Sequence, residues 1–110
     1  MHLKPLRFLG TSLDALRSFP ESARREAGHQ LDQVQRGLEP DDWKPMTSVG
    51  PGVREIGVRD QTGAFRVFYV AARPEAVYVL HAFQKKTQAT AGREFDLAIA
   101  RYRALTRSKS

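Results

Sequence analysis

Residues 53–83 read VREIGVRDQTGAFRVFYVAARPEAVYVLHAF, a stretch rich in β-branched and aromatic residues. Within it we recognise three strand-like runs, Val53–Arg59, Phe65–Ala71 and Val77–Phe83. The two short connections between them contain Gly, Pro and Asp, which turns favour. The stretch therefore predicts three antiparallel strands that pair in chain order.

Two helices are predicted before these strands. The first begins at Thr11 and ends near Phe19. A second start signal follows at once, because Ser18-Phe19-Pro20-Glu21 has the pattern of a capping box with proline in the first turn. Apolar residues then recur at spacings of three and four, which predicts an amphipathic helix closed by Gly37 and Pro40. These apolar residues are Ala23, Ala27, Leu31, Val34 and Leu38.

The remaining segments are the two ends of the chain and one loop. Residues 5–10 alternate well enough for a short edge strand, where Pro5 is tolerated. Residues 39–52 contain three prolines and two glycines, so we expect a loop anchored by Trp43 and Met46. Thr90 can cap a C-terminal helix, and we expect residues 106–110 after it to be a frayed tail. The apolar face of this helix comprises Phe95, Ala98, Ile99, Tyr102 and Leu105.

The order β-α-α-β-β-β-α predicts an α+β fold. We expect a small antiparallel sheet packed against the two N-terminal helices, with the C-terminal helix as a further element. A chain of 110 residues is the size of one domain, so a single domain over residues 1–110 is predicted.

The composition excludes several classes of protein. The chain has no cysteine, so it can form neither a disulfide framework nor a thiolate nucleophile. Asp41-Asp42 lies in a loop without a nearby histidine, and no glycine-rich phosphate loop is present, so we expect neither a metal nor another cofactor. No apolar run approaches the roughly 18 residues of a membrane span, and the N-terminus is too polar for a signal peptide. We therefore expect a cytoplasmic protein.

The chain is strongly basic. Lys and Arg number 18 against 12 Asp and Glu, which gives a net charge of +6. Such an excess favours nucleic acid, an anionic membrane or an acidic partner protein, although a solvated charged face is the simpler alternative. The Lys and Arg residues of the C-terminal third are Lys85, Lys86, Arg93, Arg101, Arg103, Arg107 and Lys109.

A set of short phrases runs in order along the chain. They are Phe8-Leu9-Gly10, Phe19-Pro20, Lys44-Pro45-Met46, Val53-Arg54-Glu55-Ile56, residues 65–70 (FRVFYV) and residues 81–88 (HAFQKKTQ). Their order and spacing, from about Leu6 to Leu105, resemble the phage-derived, HigB-like branch of the RelE/HigB toxin family. The last two phrases are the most specific.

The resemblance implies a RelE-like fold and a toxin of a type II toxin–antitoxin module. Members of that family are usually endoribonucleases, or mRNA interferases, and many of them cut mRNA only on the translating ribosome. A DNA-binding, helix-turn-helix antitoxin, here HigA-like, normally neutralises them. The partners implied are therefore this antitoxin, mRNA and the ribosome, without a membrane.

Cleavage of RNA without a metal requires activation of a 2′-hydroxyl, stabilisation of charge at phosphorus and protonation of the leaving oxygen. Arg66 lies on a strand among apolar neighbours, and it can contact a phosphate through two nitrogens. The alternative is a salt bridge to Glu55 on the neighbouring strand. Arg59 is either a second phosphate contact or a surface charge beside the turn.

His81 could act as general acid or base, or it could be a half-buried histidine bonded to backbone. Lys85 and Lys86 point to opposite faces of a strand, so only one of them is expected at the scissile phosphate. Lys85 is four residues after His81, so the two side chains are expected on the same face of the strand. Tyr69 could stack on a base or protonate the leaving group, whereas tyrosines in such strands are more often part of the core.

Arg54 and Arg93 complete the set of candidate RNA-binding residues, with Lys86 and Tyr69. Gly57 departs from the resembled family, in which a basic residue often follows the Glu-Ile pair. On a strand, only Arg59 points to the same side as position 57, whereas Arg54 does not.

Two functions of different class follow from the sequence. The first is an mRNA interferase acting through Arg66, Arg59, His81 and Lys85 or Lys86. The second is a catalytically silent module of the same fold, whose basic surface engages only an antitoxin or nucleic acid.

Overall fold

The computed structural model describes residues 3–86 and 89–108, with Ser108 described by its backbone only. Within these described ranges, eight elements follow one another. They are β1 (Leu6–Phe8), α1 (Ser12–Arg17), α2 (Glu21–Gln35), β2 (Trp43–Pro45), β3 (Val53–Asp60), β4 (Gly63–Val70), β5 (Val77–Lys85) and α3 (Gly92–Ser108). The α+β class is confirmed. No helix of the described residues is both long and apolar enough to span a membrane.

The five strands form one sheet in the order β1-β5-β4-β3-β2. β3, β4 and β5 pair antiparallel in chain order, as predicted. β1 runs parallel to β5 at one edge, so the expectation of a purely antiparallel sheet is wrong. Parallel neighbours require a long crossover, and α1, α2 and three strands lie between β1 and β5 in the chain.

The predicted loop at residues 39–52 contains a strand that the sequence pattern did not indicate. In β2, Trp43 pairs with Ile56 and Lys44 with Glu55, antiparallel to β3. Proline is tolerated in this strand because β2 is an edge of the sheet and one of its sides needs no ladder donor. The observed order is therefore β-α-α-β-β-β-β-α.

Helices cover both faces of the sheet. α1 and α2 pack on one face, over Ile56, Val67 and Val79. α3 packs on the other face, which we call the α3 face, with Ala98 and Leu105 buried among the strand side chains. The predicted apolar side of α3 is confirmed, because Phe95, Ile99 and Tyr102 pack against the same cluster.

The ends of the helices differ from the sequence prediction. Pro20 precedes α2, and the Ser18 hydroxyl donates to the carbonyl of Ala15, so the predicted capping box is absent. α2 ends at Gln35 and leaves Leu38 59% exposed, outside the apolar face expected for it. α3 begins directly after Ala91, so Thr90 is not its cap.

The C-terminal end of α3 also bears on the prediction. Helix α3 includes Thr106 and Arg107, which we expected to lie in a frayed tail. The Thr106 hydroxyl donates to the carbonyl of Tyr102, one turn earlier. Residues 109–110 of the expected tail lie outside the described residues, as do residues 87–88 of the 81–88 phrase.

Candidate nucleic-acid interface

Strand alternation brings three predicted site residues to the open end of the α3 face. Arg66 pairs with Gly57 on β3 and with Phe83 on β5. In the next row across the sheet, Ala64 pairs with Arg59 and with Lys85. Residues that pair across strands point to the same face of the sheet, and so does every second residue along one strand. Arg59, Arg66 and Lys85 are therefore neighbours on one face. We call these three side chains the cationic face.

The Arg66 guanidinium is held by an acidic neighbour. Its Nε lies 3.5 Å from Oε1 of Glu55, and Nη1 donates to the carbonyl of Phe65 at 2.9 Å. The side chains of Arg66 and Glu55 are 13% and 3% exposed. The salt bridge that the sequence left as an alternative is therefore present.

Glu55 binds a second cation. Nζ of Lys44, from the unpredicted strand β2, lies 3.6 Å from the same Oε1 atom. Oε2 of Glu55 is buried and has no hydrogen-bond partner among the described residues. A buried carboxylate requires compensating charge, and Arg66 and Lys44 supply two cations beside Oε1 of Glu55.

The structure gives a physical reason for Gly57, which stands where the resembled family often has a basic residue. A Cβ atom at this position would lie 2.6 Å from Oδ2 of Asp42 and 3.5 Å from Nη1 of Arg66. The Gly57 amide also donates to the carbonyl of Asp42 at 2.9 Å, which fixes the two backbones together. An acidic side chain thus lies beside Arg66 where the resembled family often has a basic one.

His81 is enclosed by side chains of α3. Its Nε2 lies 2.7 Å from Oε1 of Glu94, and its Nδ1 lies 3.4 Å from Nη1 of Arg101. The tautomer with a proton on Nε2 satisfies both contacts, because that nitrogen donates to Glu94 while Nδ1 accepts from Arg101. The ring stacks on Phe83, and the residue is 7% exposed. His81 therefore joins β5 to α3.

Arg101 completes this contact. Its guanidinium donates to the carbonyl of Leu80 and to the hydroxyl of Thr11, both at 2.9 Å. Burial lowers the pKa of Arg101. Leu80 and His81 face the same side because a β-bulge shifts the register between β4 and β5.

A cleft of about 410 Å³ separates the end of β5 from the first turn of α3. Lys85, Lys86 and Arg93 line it, and Phe83 connects it to the row of Arg66. Arg93 is 85% exposed and lies 3.8 Å from Glu94. The structure therefore brings three of the predicted cations to one cleft that adjoins the cationic face.

Tyr69 and Arg54 lie on the opposite face of the sheet and do not join this group. Strand parity turns Tyr69 toward α1 and α2, where it is fully buried and its hydroxyl has no hydrogen-bond partner among the described residues. Burial raises the pKa of the Tyr69 phenol, and the nearby Arg54 guanidinium opposes that shift. Arg54 lies over the ring of Trp43, with its Cζ atom 4.0 Å from the ring centroid.

A comparison with protein families identifies the family of this chain. The family model described as "Phage derived protein Gp49-like (DUF891)" matches residues 14–103 of the 110. The chain belongs to this family of Gp49-like proteins. It is a RelE/HigB-like toxin-type family, related to the toxins of toxin–antitoxin systems. No curated protein matches the chain significantly.

The matched segment of this Gp49-like protein contains every predicted site residue. Sequence reasoning missed four further participants, which are Lys44, Asp42, Glu94 and Arg101. Glu94 and Arg101 are two helical turns apart, so their shared helix face was a usable signal. Among residues 3–86 and 89–108, no three His, Asp or Glu side chains cluster closely enough to hold one metal ion.

Proposed function

We propose that this Gp49-like protein is the toxin of a type II toxin–antitoxin module and a metal-independent endoribonuclease that cleaves mRNA on the ribosome. The convergence of Arg59, Arg66 and Lys85 on one open face supports this most directly. The proposal includes a cytoplasmic site of action and a HigA-like, helix-turn-helix antitoxin as partner.

In the reaction that we propose, the ribose 2′-oxygen attacks the adjacent phosphorus and its proton passes to solvent water, from which Lys85 later regains the proton that it donates. The bond from phosphorus to the 5′-oxygen breaks, which leaves a 2′,3′-cyclic phosphate and a 5′-hydroxyl. The Arg66 guanidinium stabilises the charge that grows on the phosphoryl oxygens, and Arg59 supports it. Lys85 supplies the proton that the departing 5′-oxygen takes up.

His81 has a different part in this scheme. Both ring nitrogens contact side chains of α3, so its first effect is to hold α3 beside the cationic face. Direct proton transfer by His81 requires that Glu94 first release Nε2. We therefore assign donation of the leaving-group proton to Lys85. His81 can act as acid or base in support of Lys85 only after its contact with Glu94 opens.

The RNA strand is proposed to continue past the reacting phosphate into the cleft at the start of α3. Lys86 and Arg93 line that cleft and can neutralise flanking phosphates. The N-terminus of a helix favours negative charge, which adds to the same attraction. Binding through phosphates tolerates many base sequences and weakens as salt is added.

The second candidate is the silent module that binds an antitoxin or nucleic acid without cleavage. The enclosure of His81 by α3 and the acidic neighbours Glu55 and Asp42 beside Arg66 favour it. In that case the cations bind phosphate without a group free to move the proton of the 2′-hydroxyl.

Induced expression separates the two candidates. An endoribonuclease toxin arrests growth and translation within one induction, and Arg66→Lys relieves the arrest while the protein stays folded. Arg24→Lys, an equal change on the exposed side of α2, is the matched control and should remain toxic. Continued growth with the wild-type protein at full expression would contradict the proposal and favour the silent module.

A further inference from the structure

An apolar groove lies on the α3 face, between the turn that follows β1 and the C-terminal half of α3. Its volume is about 450 Å³, and it is lined by Leu9, Gly10, Ala100, Arg101, Ala104 and Leu105. Ala100 and Ala104 are exposed, and they lie one helical turn apart on α3. Leu97, one turn before Ala100, is 42% exposed and extends the apolar surface.

Gly10 gives the groove its shape. It has a φ of +55°, and a Cβ there would lie 2.6 Å from Nε of Arg101. The close approach lets the Arg101 side chain cross the turn and reach Thr11 and Leu80. These contacts hold the Arg101 side chain in place at the bottom of the groove. Arg101 also contacts His81.

The charged side chains in the C-terminal half of α3, beside the groove, are all positive. Arg103 and Arg107 are exposed on the solvent side of Ala100 and Ala104. Between Leu97 and Ser108 the helix has three arginines and no Asp or Glu. Arg7 is exposed on β1, two residues before Leu9, and on the strand side opposite the half-buried Leu6 and Phe8. An apolar centre with cations at its border is complementary to an amphipathic segment with acidic flanks.

We infer that this groove binds an amphipathic helix of the antitoxin, with leucine-sized side chains between Ala100 and Ala104 and carboxylates toward Arg103 and Arg107. This inference rests on the proposed function, since it names the surface that the antitoxin takes. Small residues at Ala100 and Ala104 allow a partner helix to approach closely, and apolar anchors at i, i+3 or i+4 and i+7 are the usual mode of helix-in-groove binding.

The groove is distinct from the cationic face, so binding and toxicity can be separated. The first turn of α3 lines the cleft with Lys85, whereas Ala104 lies three turns later on the same helix. An occupant that contacts Arg101 also bears on the contact between Arg101 and His81. The antitoxin can therefore influence the site without covering every phosphate-binding cation.

The test uses Ala104→Glu in the full chain, with the protein encoded by the neighbouring reading frame as the probe. A carboxylate in the groove is desolvated and repels acidic flanks, so we expect binding to weaken by at least ~30-fold. Leu97→Gln tests the same surface at an exposed position. Ala72→Glu, the same substitution at an exposed alanine between β4 and β5, is the matched control and should bind as the wild type does.

Two readouts keep the inference and the proposed function apart. The expected result is that Ala104→Glu still arrests growth but is no longer neutralised by the co-expressed probe. If the wild type arrests growth and Ala104→Glu is neutralised as well as Ala72→Glu, the groove is not the docking surface. If the wild type never arrests growth but binds the probe through the groove, the docking stands and the proposed enzyme activity fails. A wild-type dimer in sedimentation that Ala104→Glu dissociates would overturn the inference, because a second copy would then occupy the groove.

Discussion

Nε of Arg66 lies 3.5 Å from Oε1 of Glu55 on the neighbouring strand, and the Glu55 side chain is almost fully buried. The same guanidinium is therefore both the compensating charge for a buried carboxylate and the main candidate for the phosphate contact. Removing Arg66 entirely would change stability and chemistry together. Substitutions that keep the charge are needed to separate the two roles.

Arg66→Lys should separate stability from chemistry. The lysine keeps a cation near Glu55, so the free energy of unfolding should change by less than about 1.5 kcal/mol, whereas Arg66→Ala strands the carboxylate and should cost about 3 kcal/mol. A point charge cannot reproduce the planar contact with two phosphate oxygens, so RNA cleavage by Arg66→Lys should fall ~100-fold. Urea unfolding and a cleavage assay on the same samples check this. Full cleavage by Arg66→Lys would contradict the two-nitrogen contact.

Asp42→Asn should make the protein a better RNA binder. The Asp42 carboxylate lies beside Gly57 and Arg66, where it repels an incoming phosphate. Because the side chain is exposed, we expect a modest gain in RNA affinity of roughly threefold to tenfold at low salt, and a smaller gain at high salt. Asp14→Asn, on the exposed side of α1, is the control. Equal gains in the two variants would mean that only net charge matters.

Lys85→Ala and Lys86→Ala form a matched pair on adjacent residues. Lys85 is in the row of Arg59, on the face of Arg66, whereas Lys86 is exposed at the strand end. We expect Lys85→Ala to lower the turnover number of RNA cleavage ~100-fold, and Lys86→Ala mainly to weaken RNA binding. Single-turnover kinetics at saturating protein separate the two effects. The reverse assignment would show that Lys86 reaches the reacting phosphate.

Tyr69→Phe should leave toxicity intact and should not reduce stability at neutral pH. The ring is fully buried on the α2 side, and its hydroxyl has no hydrogen-bond partner among the described residues. The raised pKa of the Tyr69 phenol means that the folded protein holds this proton more tightly than the unfolded chain does. The stability that results from this difference in pKa is present at pH values below 10.0, the ordinary pKa of tyrosine. It is lost as the pH rises above 10.0.

Thermal melts of both proteins between pH 8 and roughly pH 11 check this prediction. The wild type should lose stability above pH 10 more steeply than Tyr69→Phe. A folded Tyr69→Phe protein that no longer arrests growth would instead give the phenol a direct role in cleavage.

The central strands could be predicted from sequence because their signal is local. β3, β4 and β5 each agree with the predicted runs to within two residues at either end, since β-branched and aromatic residues alternate between clear turns. β2 was missed because Pro40, Pro45 and Pro51 surround or interrupt it. Its existence depends on pairing with β3, which no local pattern reports.

The candidate site could be predicted only where strand register sufficed. Arg66 and Glu55 were recognisable as neighbours because they lie on consecutive strands. The partners of His81 were not, because Glu94 and Arg101 are 13 and 20 residues away and reach it only through the packing of α3 on the sheet. Tyr69 was predicted to be an RNA-binding residue, although strand parity puts it on the face opposite Arg66.

In the proposed mechanism, Arg66 and its cationic neighbours catalyse metal-independent cleavage of RNA. The most direct measurement is to incubate purified protein with a translating ribosome and a defined mRNA, at the Mg²⁺ concentration that ribosomes require, and to map the chemical groups at the new RNA ends. We expect cleavage by the wild type, with 2′,3′-cyclic phosphate and 5′-hydroxyl ends, and ~100-fold slower cleavage by Arg66→Lys. Intact mRNA with the wild type, or products bearing 5′-phosphate and 3′-hydroxyl ends, would contradict this mechanism.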